Sequence, residues 1–201
     1  MPRTVLLIVL CLALHVRAEE CYPVDPSRGN VTYEVKQAGS PFRGTFRRFG
    51  GEVCLLAGRA VRIEVWLDPA SVDSGLPEID AALKDREFFA VKQYPQITYT
   101  SQSVEMRGNA QVARGTLQAK GKRHNLDVPF TLRRETSGFI VSGALTLNRL
   151  DYGIGTGEWS NTRWLSGEVM VSFRAELSAR RRKLPLPPNE IDGGVAGSLG
   201  T

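Results

Sequence analysis

Between Val31 and Leu177 the chain places apolar side chains at every second position, again and again, and that period restricts it to half-buried β-strands. Val31, Tyr33 and Val35 alternate with Thr32, Glu34 and Lys36. Val61, Ile63, Val65 and Leu67 alternate with Arg62, Glu64 and Trp66. After Pro95 the stretch ITYTSQ sets Ile97 and Tyr99 against Thr98 and Thr100. Phe130 and Leu132 share a face, as do Phe139, Val141, Leu145 and Leu147, with Gly143 leaving a gap in the row. Val169, Val171, Phe173, Ala175 and Leu177 complete the series. Turn-forming clusters such as Asp68-Pro69, Arg107-Gly108-Asn109 and Thr136-Ser137-Gly138 separate these runs. Many short strands and no long helix define an all-β antiparallel barrel or sandwich. One segment departs from the rhythm. SGLPEIDAALKDREFF carries Ile79, Ala82 and Leu83 at helical spacing and reads as a short helix over one end.

Both termini fall outside this pattern. Residues 1–18 combine Arg3, an apolar run from Val5 to Leu14 and Val16-Arg17-Ala18, which reads as a secretory signal peptide cut after Ala18. The run is shorter than the roughly 20 residues a membrane span needs. From residue 178 to 201 the chain turns basic, then proline-rich, then glycine-rich, and reads as a disordered tail. Residues 19–177 remain as one domain. Loss of Arg3 and Arg17 lowers the formal net charge from +5 to +3, too little for a nucleic-acid partner in an exported chain. Two cysteines remain, Cys21 and Cys54. In an oxidising compartment they can close a bridge between the N-terminal arm and an early strand; two free thiols are the alternative.

The catalytic inventory is sparse. His124, the one histidine left after the leader, reads as a turn residue beside Lys122 and Arg123 and has no partner at triad spacing. No His, Cys or carboxylate set has metal-ligand spacing. Asp151 and Glu158 flank Gly153-Ile154-Gly155-Thr156-Gly157, but that run is not set between a strand and a helix as a phosphate loop would be. The reading is not that of an enzyme, and no cofactor is called for.

Several runs together resemble one family. Gly44-Thr45-Phe46-Arg47-Arg48-Phe49-Gly50-Gly51 is similar to a "G-x-F-x-x-F-x-G" segment of the YceI-like family, and Ala70 to Gly75 to its "ASVDTG" turn. Leu83 to Thr100 resembles its "FF" then "YP-x-I-T-F" block. Gly115-Thr116-Leu117 and Leu150 to Trp159 follow in the family's order. Lys36 to Pro41 lacks the histidine many members carry there, and Gln118 replaces the usual threonine. The resemblance implies an extended, eight-stranded, lipocalin-like antiparallel barrel with a short cap helix. It also implies a periplasmic protein holding a long isoprenoid, an isoprenoid quinone or a similar amphipathic lipid.

By parity Ile63, Val65, Leu67, Ile97, Tyr99, Phe130, Leu132, Leu145, Leu147, Val171 and Phe173 point to the lumen, either as packed core or as ligand contacts. Phe88, Phe89 and Tyr94 are placed between the helix and the barrel opening, gating it or stapling the helix, with Phe89 a candidate ligand contact in the lumen and Phe88 and Tyr94 candidates for the mouth. Phe46 and Phe49, candidates for the mouth, are three apart and require a bulge or bend between them. Arg43, Arg47 and Arg48 are candidates for a head group at the mouth, with solvated surface arginines as the alternative. A second function stays open: a non-catalytic interaction module with a filled barrel, docking on a membrane surface, a membrane cytochrome or a stress-response partner. A dimer is compatible with either.

Overall fold

The computed structural model describes residues 18–136 and 138–178. All of the leader but Ala18, and all of the tail but Ser178, lie outside the described residues. The strands are β1 (Glu20–Gln37), β2 (Ser40–Phe46), β3 (Phe49–Leu56), β4 (Arg59–Leu67), β5 (Val72–Asp73), β6 (Ile97–Arg107), β7 (Ala110–Ala119), β8 (Lys122–Glu135), β9 (Gly138–Asn148) and β10 (Leu165–Ser178). One helix, α1 (Pro77–Lys84), lies between β5 and β6.

Every pairing is antiparallel, and the sheet closes on itself because β1 pairs with β10, Val31 opposite Phe173 and Tyr33 opposite Val171. On its other edge β1 pairs with β3 through Glu20–Pro23 and with β2 through Val31–Gln37. Thus β2 and β3 share one position in the wall, and the barrel has eight strands although ten segments are present. Closure leaves no long unpaired edge, which is why so much alternating strand can exist without aggregating.

The break between β2 and β3 explains the Phe46/Phe49 spacing. The backbone N–H of Arg47 donates to the Ser71 carbonyl (3.1 Å) and that of Arg48 to Ser71 Oγ (2.9 Å), so two residues leave the ladder. Both phenylalanines then face inward, each 7% exposed. A second irregularity corrects the reading of β4. A register shift opposite Cys54 and Leu55 turns Ala60 inward (3% exposed) and Val61 outward (37%), so Val61 does not share the face of Ile63. His124 lies in β8 rather than in a turn; the turn before it is Lys120-Gly121.

Burial changes along the barrel axis. At the end where β1 starts and β10 finishes, the interior is solid: Leu55, Ala60 and Leu177 are 3%, 3% and 1% exposed, and Ala113 is fully buried. Cys21 and Cys54 face each other across β1 and β3 at this end and are joined as a disulfide. At the other end the inward aliphatics Val65, Leu67, Leu145, Leu147 and Val171 are only half-buried, although the wall around them is complete. They face space.

Candidate functional site

That space is a cavity of about 490 Å³. It is bounded by inward positions of β1, β2, β3, β4, β6, β7, β8, β9 and β10 and by one side of α1. Of the residues parity assigned to the lumen, Ile63, Val65, Leu67, Ile97, Tyr99, Phe130, Leu145, Leu147, Val171 and Phe173 line it. Leu132 does not: it packs against the solid core nearer the disulfide end, where no gap remains.

Three large rings are kept out of the lumen by glycine. Phe173 lies on Gly143 of β9, Tyr33 on Gly44 of β2, and Tyr99 on Gly115 of β7. An aromatic side chain laid flat on a residue without a Cβ covers the wall instead of projecting across the tube. The gap at Gly143 is therefore where Phe173 rests.

The cap closes only part of the opening. Pro77 starts α1, and Glu78 and Asp80 in its first turn with Lys84 in its last complement the helix dipole. Ile79 and Leu83 face the cavity half-buried, while Glu78 and Ala82 border it and are exposed, so the helix forms a rim and not a plug. The two phenylalanines after it divide the work. Phe89 packs edge-on against Phe46 at 5.8 Å, and Phe88 packs against Trp159 at 5.5 Å. Both line the cavity, as do Phe46 and Phe49. Tyr94 does not; its ring sits over Gly121 at the β7–β8 turn.

The three mouth arginines point the other way. Arg43 pairs with Glu34 at 2.6 Å, Arg48 with Asp68 at 2.7 Å and Arg47 with Asp73, all on the outer wall and none lining the cavity. Position decides this: Arg43 neighbours inward Gly44, and Arg47 and Arg48 occupy the strand break. Exposed pairs of this kind contribute little to stability.

A buried charged residue that does line the lumen is Arg149, absent from the sequence reading. It is 3% exposed, and its guanidinium donates to five carbonyls: Ser166 (2.8 Å), Ile154 (2.7 Å), Gly155 (2.9 Å), Trp159 (2.6 Å) and Leu165 (2.7 Å). Every N–H of the side chain is used, which folds the 149–165 connection against the cap end. Burial pushes its pKa below the ordinary arginine value. Gly155 is required beside it, since its φ is +75° and any Cβ would overlap the guanidinium. The Gly155 N–H in turn donates to the Glu87 carbonyl (2.8 Å), and Lys120 Nζ donates to the same carbonyl and to that of Gly153 (3.1 and 2.7 Å). The signal for Arg149 was present as an arginine two residues before Asp151 in the run that resembles the family's Gly-rich segment.

No acid–base pair faces the lumen among the described residues. His124 is exposed, with Nε2 3.1 Å from the Asp151 carbonyl and its ring edge on Tyr152. A closed antiparallel barrel with an apolar lumen and a helical rim is a lipocalin-like container. The YceI-like domain family matches residues 22–177, and the chain belongs to that family. It is similar to Protein YceI of Salmonella arizonae, 31% identical over 111 residues, which cover 54% of this chain and 56% of that one. The chain spans about half the length of the curated relatives it matches. Among solved structures it is similar to BcnA of Burkholderia cenocepacia, with a TM-score of 0.72 and 29% identity over 76% of this chain and 98% of that chain. A polyisoprenoid binding domain from Saccharophagus degradans has the same fold, with a TM-score of 0.63 and 18% identity over 78% and 98% of the two chains.

Proposed function

We propose that this chain is an exported periplasmic binder or carrier of one long-chain amphipathic lipid, an isoprenoid or isoprenoid quinone, held in the lumen. The observation that carries the reading is the burial gradient. The same alternating strands pack solidly at the disulfide end and leave about 490 Å³ of apolar space at the cap end. That size suits a small-molecule site, for which about 300–1,000 Å³ is usual. A hydrocarbon tail entering it gains about 0.8 kcal/mol per buried CH₂, part of which is lost in ordering the tail. Isoprenoids lead the candidates because the Saccharophagus degradans domain of this fold binds them. The periplasmic assignment rests on the leader at residues 1–18 and on the family. An interaction module with a filled barrel has less support, because the lumen is unfilled.

Organic extraction and native mass spectrometry of freshly purified protein test the reading. About one lipid per chain is expected. Protein that emerges empty and also refuses quinones and polyprenols in titration would overturn it.

A further inference from the structure

One fully buried hydrogen-bond donor on the lumen wall has nothing to donate to among the described residues. Tyr33 is 9% exposed, lines the cavity, and its hydroxyl is the sole buried side-chain polar atom without a partner among the described residues. Two other buried polar side chains of the wall are spent. The Tyr99 hydroxyl reaches the carbonyls of Ala113 (2.9 Å) and Leu126 (3.2 Å), and Arg149 uses its whole guanidinium on backbone. A buried hydroxyl without a partner is costly. On the reading of this barrel as a lipid container, which it extends, we propose that the Tyr33 hydroxyl donates a hydrogen bond to a neutral acceptor oxygen on the ligand, such as a quinone or ester carbonyl.

The surroundings favour a neutral group over an anion. Asp80 of α1 and Asp73 of β5 lie close enough to raise the Tyr33 pKa further, after burial, to about 12. Asp80 is held by the Ser74 backbone N–H and hydroxyl, and Asp73 by Gly75 and Arg47. Two fixed carboxylates beside the donor repel a phosphate or carboxylate head, whereas an uncharged carbonyl meets only the O–H. Tyr33 also lies where α1 and β2 meet the cavity, so a ligand whose tail runs toward the core places its polar end at this level.

The test titrates wild type and Tyr33→Phe with three probes: a short-tailed benzoquinone, squalene as the oxygen-free hydrocarbon, and farnesyl phosphate. Wild type should prefer the quinone. The substitution should weaken quinone binding about tenfold and leave squalene unchanged. Infrared spectra add an independent readout, because the bound quinone carbonyl stretch should shift down in wild type and recover in Tyr33→Phe. If the variant does not fold, the wild-type shift alone decides. Equal effects on quinone and squalene, an unshifted carbonyl, or phosphate binding as tight as quinone would each overturn the proposal while leaving the container reading intact. Wild type that takes up none of the three probes overturns both.

Discussion

The ring of Phe173 on β10 lies against Gly143, its partner across the β9–β10 ladder, so closely that a Cβ on Gly143 would stand 2.7 Å from the ring's Cζ. The carbonyl of Pro129 crowds the same point from the β8 side. This contact decides how much of the tube is empty, because a ring denied its seat on the glycine must swing toward the axis. Gly143→Ala should destabilise the barrel by about 1–3 kcal/mol, the range for overpacking, and reduce the lipid recovered per chain. Phe173→Leu on top of it should restore lipid recovery but only part of the stability, because the Pro129 carbonyl still crowds the added Cβ. Thermal melting and extraction on the four proteins of that cycle measure the coupling. Independent, additive effects would mean that the contact does not shape the lumen.

The wall was legible because period two is set by backbone geometry and survives any tertiary context: Ile63, Val65, Leu67, Leu145, Leu147 and Val171 face the cavity as their parity requires. What parity cannot see is one extra residue. The bulge that turns Val61 outward depends on how β4 meets β3, a partner far enough away that nothing local announces it. Hairpin turns were harder still. Ala38-Gly39, Ala57-Gly58 and Lys120-Gly121 all have positive φ at both positions, yet alanine and lysine carry no turn signal of their own. Depth along the axis was also hidden, so Leu132 and Leu145 read alike although one meets packed core and the other open lumen. Arg149 escaped because its partners are carbonyls, which every residue supplies.

That dependence on carbonyls makes Arg149→Lys an informative change. An ammonium has three donors against the five bonds Arg149 makes, so at least two buried carbonyls lose their partner. At about 1–3 kcal/mol for each, the variant should lose about 2–6 kcal/mol of stability. The loss should be local as well as global. Amide hydrogen exchange should quicken first across 149–165 and at the Gly155 and Thr156 amides that hold the Glu87 carbonyl, while Val53 and Leu177 stay protected. Uniform acceleration throughout the barrel would contradict the role given to Arg149.

Tyrosine ionisation gives the alkaline limit its sign. Burial first, then nearby carboxylates, raise Tyr33 and Tyr99 from 10.0 to about 12, and burial raises Tyr152 in the same direction. Between those values the folded protein keeps protons that the unfolded chain has released, so stability is whole below pH 10 and falls as the pH climbs to about 12. Each of Tyr33 and Tyr99 contributes on the order of 3 kcal/mol to that fall. Absorbance at the phenolate band should show them titrating late. Tyr33→Phe should flatten the alkaline side of the stability curve relative to wild type; an unchanged slope would mean that its hydroxyl is exposed to solvent.

Reduction of the Cys21–Cys54 bridge should separate stability from binding. The bridge closes a loop across a sequence separation of 33, and chain-entropy reasoning gives about 3–4 kcal/mol for a loop of that size. Because it ties β1 to β3 at the solid end, far along the axis from the rim formed by α1, its loss removes no wall of the cavity. Cys21→Ser with Cys54→Ser should therefore melt well below wild type yet retain its lipid at temperatures where it is folded. Native mass spectra recorded across a thermal ramp would follow lipid and fold together. Should the lipid leave while the double variant is still folded, the lumen must extend into the end occupied by Leu55, Ala113 and Leu177, and the division of the barrel into a packed half and an empty half would be wrong.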